Sequence, residues 1–126
     1  MDHVRAGCAV LVGVLLTGCS PQPGPAAKLT MADIAPILTP LTYREVLGEK
    51  CNEPNMAAGT AFIADLKAAG AADTLVRQAA AEADRIATAE RETLPEYVCT
   101  AELYESTEKN AASAHKAWAE LRARKP

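Results

Sequence analysis

Aromatic side chains are scarce in this chain, at 4% of 126 residues: one Trp, one Phe and three Tyr. That scarcity excludes a core built on large rings, yet hydrophobic residues as a class reach 49% because alanine fills the gap. Such a composition favours helix and leaves few large side chains to bury. Basic residues are also in short supply: 13 Lys and Arg stand against 16 Asp and Glu, for a formal net charge of -3, and no basic block occurs. Without a cationic surplus to displace counterions from phosphates, nucleic acid is excluded as a partner. Histidine occurs only at His3 and His115, and the chain has no G-x-S-x-G, phosphate-binding loop or H-E-x-x-H pattern. These absences argue against an enzyme and call for no metal or cofactor. The length allows one small domain.

One long apolar run is present, AGCAVLVGVLL from Ala6 to Leu16, preceded by the polar MDHVR with its single cation Arg5. About a dozen apolar residues make the core of a secretory signal but fall short of the roughly 20 that a membrane-crossing helix needs. The run closes on Leu16, Thr17, Gly18 and Cys19. This order resembles the lipobox of bacterial lipoproteins: an aliphatic residue, a small one, Gly or Ala, then cysteine. The resemblance covers the first 20 residues. It implies that Cys19 receives a diacylglyceryl group, that cleavage before it removes residues 1–18, and that further acylation, commonly palmitate, follows. Each buried methylene contributes about 0.8 kcal/mol, so two or three chains anchor a protein stably where one does not. Ser20, rather than Asp, follows the cysteine. By resemblance to enterobacterial sorting, that favours the outer membrane, with the domain facing the periplasm.

Residues 19–29 then read as a lipidated cysteine and a proline-rich tether. SPQPGPAAK, from Ser20 to Lys28, excludes regular helix and strand pairing. An extended polyproline geometry would hold a domain roughly 25 Å off the membrane. Residues 30–126 read as the domain, an all-α antiparallel bundle of three to four helices. Pro36 and Pro40 predict a short or broken first helix, with Thr39 as a cap and Gly48 as a stop. Asn52 is placed as the cap of a second helix that ends at Gly70, with Met56, Gly59, Phe62, Ile63 and Leu66 inward. Asp73 caps a third, whose narrow face is Val76, Ala79, Ala80, Ala83, Ile86 and Ala87. Thr100 starts a fourth, in which Tyr104, Thr107, Ala111, Ala114, Trp118 and Leu121 form a heptad stripe. That stripe can serve the bundle or pair with a second copy, so self-association stays open.

Of the four cysteines, Cys8 leaves with the signal and Cys19 becomes a thioether, which isolates Cys51 and Cys99. In an oxidising compartment these two are expected to pair, and alternate helices of an antiparallel bundle start at one pole, where both lie. A redox dithiol or a metal pair lacks C-x-x-C and any neighbouring histidine. The glutamates at 90, 92, 96, 102, 105 and 108 read as solvated faces and helix-start charges, with i, i+4 pairs at Glu105–Lys109 and Glu120–Arg124. His115 reads as a seam-edge residue. Tyr97 and Tyr104, in LPEYVCTAELYE, pack against the Tyr43 to Leu47 segment or offer a partner surface, since Tyr is enriched in interface hot spots. The expectation is a lipid-anchored envelope protein that acts by binding another protein. The alternative is a module for a small ligand or lipid, disfavoured because alanine-rich seams line a cavity poorly.

Overall fold

The computed structural model describes residues 24–53, 57–93 and 99–124. Four helices follow one another: α1 Met31–Lys50, α2 Ala58–Ala68, α3 Asp73–Thr93 and α4 Ala101–Ala123, with no strand among the described residues. Each runs antiparallel to the one before it. The first helix is the hub: α2, α3 and α4 all pack on α1, while α2 and α3 touch each other less. This is the antiparallel bundle that the helical periodicities predicted, with the Cys51–Cys99 bridge closing it.

The first helix is continuous, not short or broken as its prolines predicted. Pro36 and Pro40 leave the carbonyls of Ala32 and Pro36 without their usual helical donors, at a cost of about 3 kcal/mol for each interior proline. Against this, Ile34, Ile37, Leu38, Leu41, Val46 and Leu47 are all essentially buried. At about 1.5–3 kcal/mol for each such side chain, burial on three neighbouring helices is the larger effect. The true start is Thr30, whose N–H donates to Asp33 Oδ2 at 2.8 Å while its hydroxyl donates to the same oxygen at 3.1 Å. Thr42, the one buried polar residue of the core, donates its hydroxyl to the Leu38 carbonyl at 2.8 Å. No buried donor is stranded there.

The end of α1 corrects a second expectation. Asn52 has φ 58° and so cannot serve as a helix N-cap, which needs extended backbone. It instead terminates α1 in a Schellman motif, in which the Glu53 N–H donates to the Gly48 carbonyl at 2.9 Å. Gly48 therefore lies inside the helix and is not its stop. The second helix begins later than predicted, at Ala58, and ends as predicted at Gly70, with φ 91° and the Ala71 N–H donating to the Leu66 carbonyl at 3.2 Å. Of its inward residues, Gly59, Phe62 and Leu66 are buried and Ile63 half-buried; Met56 lies outside the described residues. On α3, Leu75 joins Ala79, Ile86 and Ala87 in the core, Val76 and Ala83 are half-buried, and Ala80 is exposed.

The fourth helix matches its prediction closely. The Thr100 hydroxyl accepts the Leu103 N–H at 3.1 Å, and Ala111, Ala114, Trp118 and Leu121 are buried in the core shared with α1. Because α1 already covers the heptad stripe, a second copy pairing through it would have to displace the hub helix. The predicted surface pairs Glu105–Lys109 and Glu120–Arg124 are not within ion-pair distance; Glu108 reaches Arg44 on α1 instead. The described part of the 19–29 segment, residues 24–29, is not an extended tether. Gly24 to Lys28 form a turn, Ala26 is fully buried, and its N–H donates to the Ala69 carbonyl at 3.0 Å. Packing on the bundle thus begins before residue 30.

Two close approaches explain two glycines. Gly24 and Gly70 meet backbone to backbone, and a Cβ on Gly24 would overlap the Ala69 carbonyl. On α2, a Cβ at Gly59 would lie 3.0 Å from Thr42 Oγ1 and 3.2 Å from Thr42 Cα, so this glycine sets how near α2 comes to α1. A leucine there cannot be housed without parting the helices. Gly59→Leu is expected to destabilise the domain by about 1–3 kcal/mol, read from the urea midpoint, and Gly59→Ala by much less because its helix propensity offsets the crowding.

Candidate functional site

Between α2 and α3, over α1, the bundle leaves an open groove of about 590 Å³. Its floor is Thr42 and Val46 on α1, and its walls are Thr60 and Ile63 on α2 and Ala80, Ala83 and Ala87 on α3. The groove exists because α3 presents methyl groups where a bundle seam usually carries leucines, so nothing fills the space between the two outer helices. The alanine-rich seam, expected to line a cavity poorly, leaves this groove open instead. The signal was there in the run Ala79, Ala80, Ala81 and Ala83, which lacks a large residue at helical spacing.

Glu45, Asp84 and Arg91 bring charge to the rim. Glu45 accepts both the Thr60 N–H and the Thr60 hydroxyl at 2.8 Å, and in doing so satisfies one of the free donors at the start of α2. Arg91 donates from Nε and Nη2 to the two oxygens of Glu49 at 2.9 and 3.0 Å, tying the end of α3 to α1. Asp84 is exposed. No group of three or more His, Cys, Asp or Glu suited to a metal occurs among the described residues. The groove offers shape and apolar contact between its charged rim residues.

The hydrogen bond from Arg91, followed by its charge, holds the Glu49 carboxyl below its ordinary value of 4.5 despite some loss of solvation. A carboxylate with a lowered folded pKa stabilises the fold fully above its unfolded value and loses that contribution as pH falls through the lowered one. The two side chains are 45% and 46% exposed, so screening leaves the pair a few tenths of a kcal/mol. In urea titrations from about pH 6 to about pH 3, Arg91→Gln is expected to lack that increment of acid sensitivity.

A smaller recess of about 230 Å³ lies between α1, α3 and α4, bordered by Pro40, Tyr43, Leu47, Leu103 and Glu90. Tyr43, 41% exposed, is the one exposed large hydrophobic residue of the described structure. Leu103 borders this recess together with Tyr43 and Leu47, while residues 94–98 of the LPEYVCTAELYE segment lie outside the described residues. Tyr104, half-buried, sits by Arg44 and Glu53; reduced solvation first, then the Glu53 charge, raise its phenol above the ordinary value, so it stays protonated at neutral pH. Tyr97 lies outside the described residues, as does Cys19. Cys51 and Cys99, 48 residues apart, stand with their sulfurs at bonding distance and their Cα atoms 5.8 Å apart. His115 is exposed on α4.

No helix among the described residues is long and apolar enough to cross a membrane. No protein-family model, characterised protein or solved structure matches the chain.

Proposed function

We propose that this chain is a lipid-anchored protein of a bacterial envelope, held through Cys19, facing the periplasm from the outer membrane, whose helical domain acts by binding another protein. The observation that carries the reading is the order Leu16, Thr17, Gly18, Cys19 directly after the apolar run. A bridge between Cys51 and Cys99 supports it, since such bonds persist in oxidising compartments. The groove over α1 supports a binding role: its small side chains let a partner's helix or extended segment approach the α1 backbone closely. Tyr43 with Leu47 and Leu103 gives a second apolar contact surface, bearing an aromatic of the kind that anchors interfaces.

The test is the mass and location of the mature protein. Membrane-associated protein starting at Cys19 and carrying acyl groups is the expected result, with Cys19→Ala moving it to the soluble fraction. Protein that keeps residues 1–18 without lipid would end this reading. Crosslinking should then capture one envelope partner, and that capture should fall when Ala83→Glu places a charge in the groove. The groove's volume also favours a second reading, an apolar small-ligand or lipid module. In that case native mass spectra of the released domain would show bound ligand, and no protein partner would crosslink.

A further inference from the structure

The docked segment ahead of α1 fixes where the chain enters the bundle. Gly24 lies against Gly70, so entry is at the pole formed by the start of α1, the α2–α3 turn and the end of α4. From Cys19 to Gly24 is five residue steps, which span at most about 18 Å even when fully extended. The bundle itself is longer than that reach, since the 23 residues of α4 alone run about 34 Å. A chain anchored at Cys19 therefore keeps its entry pole near the lipid.

Charge is distributed unevenly between the two ends. The entry pole carries Lys28, Lys67, Arg77, Lys116, Arg122 and Arg124, against Asp33, Asp65, Asp73 and Glu120. At the disulfide pole acids outnumber bases, through Glu53 after α1, Glu90 and Glu92 on α3, and Glu102, Glu105 and Glu108 on α4. The fold assembles this cationic end from four places: the segment before α1, α2, α3 and the last part of α4. Each Lys or Arg near an anionic lipid surface is attracted to it, offset in part here by the neighbouring acids. The acidic far end is repelled by the same surface.

We infer that the entry pole is a docking surface for the anionic lipid headgroups of the membrane that holds the anchor, so that the bundle stands on this pole with its disulfide end outward. The inference rests on the lipid-anchor reading of Cys19. It gives the two recesses an orientation: both lie toward the disulfide half of the helices, open to a partner approaching from the periplasm.

The experiment uses the full-length protein, extracted with its lipid and reconstituted into vesicles of phosphatidylethanolamine with or without phosphatidylglycerol. With Cys51 and Cys99 bridged and Cys19 acylated, an added cysteine is the only thiol to label. Ala72→Cys marks the entry pole and Glu102→Cys the far pole; both positions are exposed. Energy transfer to a headgroup acceptor should be several-fold stronger from position 72. The asymmetry should grow with phosphatidylglycerol and shrink in high salt or when Lys67, Arg77 and Arg122 are reversed to Glu. Gly24→Leu, which undocks the entry segment and lengthens the free tether, should weaken it without altering charge. Equal transfer from the two positions in lipidated protein overturns the orientation while leaving the anchor intact. An asymmetry indifferent to lipid charge, salt and the reversed residues overturns the headgroup contact. Purified protein that carries no lipid by mass overturns both this inference and the reading beneath it.

Discussion

Replacing Cys51 and Cys99 together by alanine should lower the unfolding free energy by about 4 kcal/mol, because the bridge closes a loop of 48 residues whose freedom in the unfolded chain is thereby restored. The loss is large for a domain this size, whose alanine-rich core buries little apolar area per residue. The bridge joins the end of α1 to the start of α4, so it fixes the register of the two helices that share Trp118, Leu121, Leu38 and Leu41. Urea midpoints of the oxidised protein, the reduced protein and the double variant test this directly. The second and third should fall together, and a non-reducing gel shift should vanish in the variant. A midpoint unchanged by reduction would show that the helix ends hold each other without the bond.

Truncation of the single tryptophan should be nearly as severe. Trp118 is 4% exposed, meets the Phe62 ring edge-on with centroids 5.1 Å apart, and lies under the Arg122 guanidinium at 5.7 Å. Trp118→Ala removes the largest side chain of a core whose other ring is Phe62, at an expected cost of about 3–5 kcal/mol. Its indole Nε1 finds no hydrogen-bond partner among the described residues, so the polar end of the ring adds nothing that phenylalanine lacks. Trp118→Phe should therefore cost clearly less than Trp118→Ala. Chemical denaturation of the two variants side by side checks the order. A phenylalanine variant as unstable as the alanine one would mean the indole nitrogen has a partner in solution.

Three of the four helices were legible because their signals are local. Gly70 and Thr100 end and begin helices through their own backbone and hydroxyl, and the stripe from Tyr104 to Leu121 has one period and one inward face. The first helix was not, because its two prolines speak against helix locally while the compensation comes from helices 20 to 80 residues away, a distance no window of the sequence covers. Asn52 was ambiguous for a related reason. Asn caps either end of a helix, and only the fold of Gly48 to Glu53 decides between them. The groove over α1 depends on what α3 fails to supply at Ala80, Ala83 and Ala87, and periodicity marks inward positions without saying whether anything meets them. Of the candidate tyrosines, Tyr104 is half-buried near Arg44, and the exposed aromatic among the described residues is Tyr43, which the sequence places in the packing partner segment.

The hub position of α1 also sets an order of assembly. Ribosomal synthesis delivers α1 first among the four helices, yet Trp118 and Leu121, which complete its cover, come within the last nine residues of the chain. The centre is made early and roofed late. Ile34, Leu38 and Leu41 therefore lack part of their cover until the final turns of α4 exist, and a chain that stops before Trp118 has an open core. Until then the unfinished domain lacks the side chains that lock its shape.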